Sequence, residues 1–154
     1  MAGGVEAVVK IAVLNGPNLN LLGVREPEIY GATSLADIEK GLRTAAEQLN
    51  VTISFSQHNS EGALIDAIQA LHQKADGILI NAAAYTHTSL AVVDALRSVS
   101  IPYVEVHLSN IFAREPQRHH SLLASGARGV ICGFGAPGYE LALRGLVQLL
   151  GTRG

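Results

Sequence analysis

Two pairs of residues in this 154-residue chain are spaced for proton transfer. Glu105 and His107 stand two apart in the apolar run YVEVH, where the period of two of a strand puts both side chains on one face. A carboxylate there could fix the tautomer of the imidazole, and a buried glutamate needs such a partner. Arg25 and Tyr30 stand five apart in the segment REPEIYG. A guanidinium beside a phenol favours the phenolate, and bringing a tyrosine from about 10 toward neutrality takes roughly 3 to 4 kcal/mol of differential stabilisation. Arg114 is a candidate for a second guanidinium in the same pocket. A general base, a general acid and donors for a developing anion can all be drawn from the Asn, Tyr, His, Ser and Arg side chains of such a set.

The elements that must position these groups are legible from three repeats of one pattern. IAVLNGPNLNLLG, GILINAAAYTHTS and PYVEVHLSNIFARE each run a short Val/Ile-rich stretch into a polar cluster. Such a stretch reads as a buried parallel strand. In open α/β sheets ligands bind outside the carboxyl ends of the strands, so the three clusters should converge.

The spacing predicts strand one over 8–14, followed by a Gly/Pro/Asn-rich loop over 15–33 that is too long for a connector and reads as an active-site lid. Ser34 caps a helix in which Leu35, Ile38, Leu42, Ala45, Ala46 and Leu49 recur at helical spacing. Strand two is expected over 51–55, a helix over 62–73, strand three over 77–80 and a third helix from Thr88 or Ser89. Pro102 opens strand four, a helical turn lies near 120–124, strand five spans 129–132 and a last helix spans 139–150. This alternation predicts a flavodoxin-like α/β fold: a doubly wound five-stranded parallel sheet, order 2-1-3-4-5, with helices on both faces. Residues 1–154 read as a single catalytic domain, with 1–7 as a flexible tail.

Composition narrows the classes. The chain is 48% hydrophobic and 16% charged with net charge −2, and its mean hydropathy of +0.27 suggests apolar surface covered by partner subunits. Nothing points to nucleic acid or to a membrane surface. No apolar run approaches the roughly 18 residues of a membrane helix, and a cytoplasmic location is expected. Cys132 is the only cysteine, which excludes an internal disulfide, and its apolar run GVICGF reads as core.

Several uses of the fold are disfavoured by what is missing. A phosphoacceptor site needs acidic residues where Asn15 and Asn81 stand. Lys10, Lys40 and Lys74 lie away from the catalytic rim, against Schiff-base chemistry. The histidines show no metal-ligand spacing. Gly133, Gly135 and Gly138 in GFGAPG match a dinucleotide fingerprint, but after the last strand and with Pro137 inside it, so a tight turn is the better reading. His87 is a helix cap or a ligand contact, and Asp94, two turns on, shares its face.

These residues also carry a resemblance. NGPNLNLLG, REPEIYG, INAAAYTHTSLA, EVHLSN, ARE, RHHS, GVICGFG and GYELAL, in that order and spacing, resemble type II 3-dehydroquinate dehydratase across almost the whole chain. The resemblance implies dehydration of 3-dehydroquinate to 3-dehydroshikimate in the shikimate pathway, or in quinate catabolism, without cofactor, metal or imine. It implies Tyr30 as base, Arg25 as the lid arginine that depresses its pKa, and Asn18 as the amide that stabilises the enolate through a water. It implies His107 as the acid on the departing hydroxyl, with Glu105 orienting it. Asn81, His87 and Arg118 match groups that grip the substrate, Leu108 and Ser109 match the carboxylate clamp, and Arg114 a further arginine near the tyrosine. Asp94 fits an acidic residue that reaches a neighbouring subunit's site, in a dodecamer built from trimers.

The chain departs from the family pattern in four places. His58 precedes Asn-Ser where relatives read SNHEG, Ala83 replaces a common glycine and is expected to narrow a backbone approach, and Gln117 and Leu122 replace aromatic residues. Two other readings stand beside the dehydratase. One is a flavodoxin-like small-ligand binding or regulatory module that uses the crevice without turnover; the other is a different cofactor-independent lyase or isomerase acting on a cyclic polyol acid. The module accounts for the fold and the polar loops, but not for a Tyr–Arg lid, a Glu–His strand end and an arginine pair occurring together.

Overall fold

The computed structural model describes residues 7–24, 26–30 and 32–151, without the side chains of Pro27 and Tyr30. Arg25, the Tyr30 side chain and nearly all of the expected tail over 1–7 therefore lie outside the described residues.

Five parallel strands, β1 (Lys10–Asn15), β2 (Thr52–Gln57), β3 (Gly77–Asn81), β4 (Tyr103–His107) and β5 (Gly129–Cys132), pair in the order β2-β1-β3-β4-β5, the order expected from the sequence. The helices are α1 (Pro27–Tyr30), α2 (Leu35–Leu49), α3 (Glu61–Gln69), α4 (Tyr85–Thr88), α5 (Leu90–Val99) and α6 (Pro137–Gly151).

The period of two along each strand builds two cores. Ile11, Val13, Leu79, Val104 and Val106 face α2 and α6, packing on Leu42, Leu143 and Leu146. Leu14, Ile78, Ile80 and Tyr103 face α3 and α5, packing on Leu64, Ile68, Val92 and Leu96. Each fully buried aliphatic side chain contributes about 1.5 to 3 kcal/mol relative to exposure, so both faces of the sheet are held chiefly by burial.

Local chemistry sets the helix starts. Ser34 Oγ accepts the Asp37 amide while the Asp37 carboxylate accepts the Ser34 amide, a closed capping box. That pairing holds the Asp37 carboxyl below its ordinary value. Asn50 ends α2 in the left-handed region at φ 56°, which asparagine tolerates better than most residues.

Three helical segments and the burial of one residue differ notably from the reading of the sequence. The helix expected over 62–73 stops at Gln69, where the hydrogen bonds tighten to the carbonyl three residues back and Gln73 turns left-handed at φ 60°. The helix expected from Thr88 or Ser89 is preceded by a separate turn, α4, because Ser89 adopts an extended conformation and caps α5 with its hydroxyl. His87 and Asp94 consequently do not share one helical face. The turn expected near 120–124 falls instead at Ala124–Gly126, with two further 3-10 turns at Ile111–Ala113 and Pro116–Arg118. Cys132 is half-buried rather than core, because β5 is an edge strand with partly exposed residues.

The GFGAPG segment is a turn, as read: Gly133 and Gly135 have φ of 99° and 66°, and their amides donate to the His107 and Leu108 carbonyls. Among the described residues no helix is long and apolar enough to cross a membrane.

Candidate active site

The strand order reverses between the parallel strands β1 and β3, and their last residues, Asn15 and Asn81, are register partners. The crevice beyond them is a cleft of about 580 Å³ of empty space, its open mouth included, lined from three strand ends. Asn18 comes from the loop after β1, Asn81 and His87 from β3 and α4, and His107, Leu108 and Ser109 from the end of β4. Arg114 and Arg118 line the cleft from the loop that follows. The structure thus brings together eight of the residues singled out by sequence.

Two others sit elsewhere. Glu105 is fully buried behind His107. Asp94 is exposed on α5 and does not line this cleft.

His107 Nε2 lies 2.5 Å from Glu105 Oε2, the side chains being 6% and 0% exposed. The alternation of β4 aims both at the α5 face, and the ionised carboxylate, which can only accept, receives a hydrogen bond from Nε2–H. This leaves Nδ1 as the other ring nitrogen of His107. Burial pushes Glu105 up, but the hydrogen bond and charge of His107, with hydroxyl donors from Ser121 and Thr86, more than offset it and hold the carboxyl below its ordinary value. Thr86 Oγ1 donates to Oε2 at 2.9 Å, and Ser121 Oγ lies 2.8 and 2.7 Å from Oε1 and Oε2.

His87 stacks on His107, with ring centroids 6.4 Å apart and planes at 18°. Its Nδ1 lies 2.7 Å from the His120 carbonyl oxygen, which can only accept, so that nitrogen carries the proton. Burial pushes His87 down; the bond to His120 opposes this, and His107, Arg118 and His120 push it further down. A neutral ring with Nδ1 protonated has Nε2 as a hydrogen-bond acceptor.

The floor is a second network. Tyr139 Oη donates to Asn15 Oδ1 at 2.7 Å and accepts from Asn81 Nδ2 at 2.9 Å. Asn15 Nδ2 donates to the Ser56 carbonyl and Asn81 Oδ1 accepts the Ala83 amide. Ala83, which lines the cleft, has φ 53°, in the region that glycine favours. The close backbone approach lies at Gly16. At the rim, Arg118 Nε lies 2.5 Å from Glu115 Oε1, a partly exposed pair worth little to stability. Asn18 stands at the mouth with φ 69°, its amide donating to Asn59 Oδ1.

Sequence reasoning missed Thr86, Ser121, Asn15 and Tyr139 as parts of this machinery. A signal existed for the first two. An ionised buried carboxylate has room for about four hydrogen bonds, so one histidine cannot satisfy Glu105, and hydroxyls had to be sought nearby. Among the described residues, no group of three or more His, Cys, Asp or Glu is placed to hold a metal ion.

Known proteins resemble this chain over nearly its whole length. The family model described as dehydroquinase class II matches residues 9–147. The chain is 61% identical over 140 residues to the 3-dehydroquinate dehydratase of Synechococcus sp. (strain CC9605), covering 91% of this chain and 96% of the relative. It is 60% identical over 136 residues to that of Dinoroseobacter shibae, covering 88% and 91%. The crystal structure of type II dehydroquinase from Butyrivibrio crossotus matches with a TM-score of 0.88 at 42% identity, covering 94% of this chain and 99% of that one. From its residues 9–147, its relatives and its fold alike, the chain belongs to the class II dehydroquinase family.

Proposed function

We propose that the chain removes water from 3-dehydroquinate to give 3-dehydroshikimate, in two steps through an enolate. The observation that carries this reading is the buried Glu105–His107 pair opening into a cleft of amides, a serine and two arginines, in a chain whose relatives bear the name 3-dehydroquinate dehydratase.

Tyr30, as tyrosinate, takes the proton from the carbon next to the ketone, and the C–H electron pair moves into the enolate. Arg25, with Arg114 nearby, lowers the pKa of the phenol so that the tyrosinate is available near neutral pH, and the loop over 15–33 closes over the substrate. Asn18, through a water, stabilises the enolate oxygen where charge develops. In the second step the enolate re-forms the ketone, the carbon–carbon double bond forms and the β carbon–oxygen bond breaks. The leaving hydroxyl takes a proton from His107 and departs as water. In this reading base and acid come from different segments on opposite sides of the ring, consistent with the anti elimination that the family resemblance implies.

Asn81, His87 and Arg118 hold the ring, and the Leu108 amide with Ser109 holds the carboxylate. The acceptor nitrogen of His87 suits a substrate hydroxyl. Residues 1–154 act as one catalytic domain in this reading, within the shikimate pathway. On the same reading Asp94, exposed on α5 as Leu90 is, completes a neighbouring subunit's cleft in a dodecamer of trimers.

The test is to mix the purified chain with 3-dehydroquinate and follow the ultraviolet absorbance of the conjugated enone, with a parallel sample treated with substrate and borohydride. Rapid enone formation indifferent to borohydride is expected. No enone would reject the reading in favour of a binding module, and borohydride inactivation would mean a catalytic lysine.

A further inference from the structure

Ser121 stands in the segment RHHS, outside the residues that line the cleft, yet its hydroxyl reaches both oxygens of Glu105. Its proton placement is settled by its other bonds. Ser121 Oγ accepts the backbone amides of Leu123 and Ala124, both at 3.1 Å. A hydroxyl has one proton and two lone pairs; with both lone pairs engaged by N–H donors, the proton is left for the carboxylate and is shared between its two oxygens. A hydroxyl that merely capped the turn at Ala124–Gly126 would have no need to face a fully buried carboxylate.

The same short segment holds the neighbouring histidine. The His120 carbonyl accepts from His87 Nδ1, and the Leu122 amide donates to the Thr86 carbonyl at 2.8 Å. Thr86 in turn donates its hydroxyl to Glu105. One loop therefore fixes the orientation of both cleft histidines from behind, His87 directly and His107 through Glu105.

We propose that Ser121 is a positioning residue for the proton-donating unit: it acts through Glu105 to set the orientation and proton affinity of His107. This rests on the reading of His107 as the acid. Two hydroxyl donors and one imidazole N–H divide the carboxylate between them. Removing the Ser121 hydroxyl leaves Glu105 a stronger base, because an anion that loses a hydrogen bond gains proton affinity. It also frees the carboxylate to turn away from Nε2.

The experiment compares steady-state dehydration of 3-dehydroquinate across pH for the full chain and for Ser121→Ala, Ser121→Cys, Ser121→Thr and His107→Asn. The expected result for Ser121→Ala is a kcat reduced at least ten-fold with KM within about three-fold. The pH limb of kcat that His107→Asn abolishes should move to higher pH. Ser121→Thr, which keeps the hydroxyl, should restore both. Ser121→Cys keeps the size of the side chain with a weak donor, so it should resemble Ser121→Ala even if the alanine variant fails to fold. A folded Ser121→Ala or Ser121→Cys with normal kcat and an unmoved limb overturns the inference, and so does loss of folding in both, which would assign Ser121 to the loop alone. If His107→Asn itself turns over normally, it is the acid assignment that has failed, which the Ser121 variants alone would not show.

Discussion

Asn81 and Tyr139, 58 residues apart in sequence, meet beneath the cleft: Asn81 Nδ2 donates to Tyr139 Oη at 2.9 Å in a buried site. The tyrosine hydroxyl in turn donates to Asn15 Oδ1, so the last residues of β1 and β3 are joined through a side chain of α6. Burial holds the phenol well above its ordinary value, more than offsetting the hydrogen bond from Asn81. Tyr139 thus stays protonated and acts as a fixed strut rather than as an acid. Tyr139→Phe leaves a buried acceptor on Asn15 and a donor on Asn81 without this partner, at a cost of about 2 to 4 kcal/mol. Urea unfolding should show that loss up to about pH 10, with the gap narrowing above it as the tyrosine of the unfolded chain ionises while the folded one does not, and wild-type stability at neutral pH would refute the strut.

Gly16 is needed for close approach. Its amide donates to the Asn81 carbonyl at 2.8 Å, and a Cβ there would lie 2.4 Å from the Ala82 carbonyl oxygen. That contact is with backbone, which cannot swing aside, so Gly16→Ala must push the two cleft loops apart. The expected cost is about 3 kcal/mol or more, read from the denaturant midpoint. A loss of dehydration rate should accompany it, because Pro17 and Asn18 line the cleft immediately beyond. Unchanged stability would show that the loops can part freely.

Ala83 should respond in the opposite direction. A non-glycine residue in the left-handed region pays about 1 to 2 kcal/mol, and Ala83 has φ 53° with a half-buried methyl. Glycine removes that strain but adds freedom to the unfolded chain, worth about 0.4 to 1 kcal/mol. Ala83→Gly should therefore be neutral to stabilising by about 1 kcal/mol, whereas a β-branched Ala83→Val should destabilise. Thermal unfolding orders the three; valine at or above alanine would contradict the strain argument.

How much of this was legible depends on the range of the interactions. The strand order follows from apolar runs alternating with helical spacing, and the Glu105–His107 contact follows from a period of two within one strand. Both are local patterns. The break between α4 and α5 was hidden because THTSLAVV is compatible with one helix; what decides is that Ser89 uses its hydroxyl as a cap in an extended conformation. Tyr139, Thr86 and Ser121 were hidden for another reason. Their partners lie between 16 and 124 residues away, and no spacing rule connects a hydroxyl on one loop with a carboxylate on a strand. Cys132 misled because an apolar run looks the same in a central strand as at the edge of a sheet.

Tyr30→Phe tests the base directly. The substitution removes only the phenolic oxygen, so groups that hold the substrate ring and carboxylate are untouched. If Tyr30 takes the proton, kcat should fall by orders of magnitude with substrate affinity within a few-fold, since the lost interaction belongs to the transition state. Near-normal turnover would remove Tyr30 from the mechanism.

Glu105 links the site to stability in acid. Burial raises its proton affinity, but the bonds from His107, Ser121 and Thr86 prevail, so the folded carboxyl titrates below its unfolded value. A depressed carboxyl stabilises the fold at pH values above its unfolded pKa, about 4.3 for glutamate, and that contribution is lost as pH falls through the lower folded value. Glu105→Gln removes the titration and offers an amide nitrogen to hydroxyls that need acceptors, at a cost of about 2 to 4 kcal/mol near pH 7. Asp37 and Glu115, whose carboxyls are also held low, titrate alike in both proteins and cancel in the comparison. Unfolding free energies measured from pH 7 to pH 3 should therefore show the gap between wild type and variant constant down to about pH 4.3 and narrowing below it. A gap that stays constant across the whole range would mean that the carboxyl titrates alike in the folded and unfolded chain, and a gap that widens as pH falls would mean that Glu105 is protonated in the fold; either outcome would contradict a carboxylate held ionised by His107, Ser121 and Thr86.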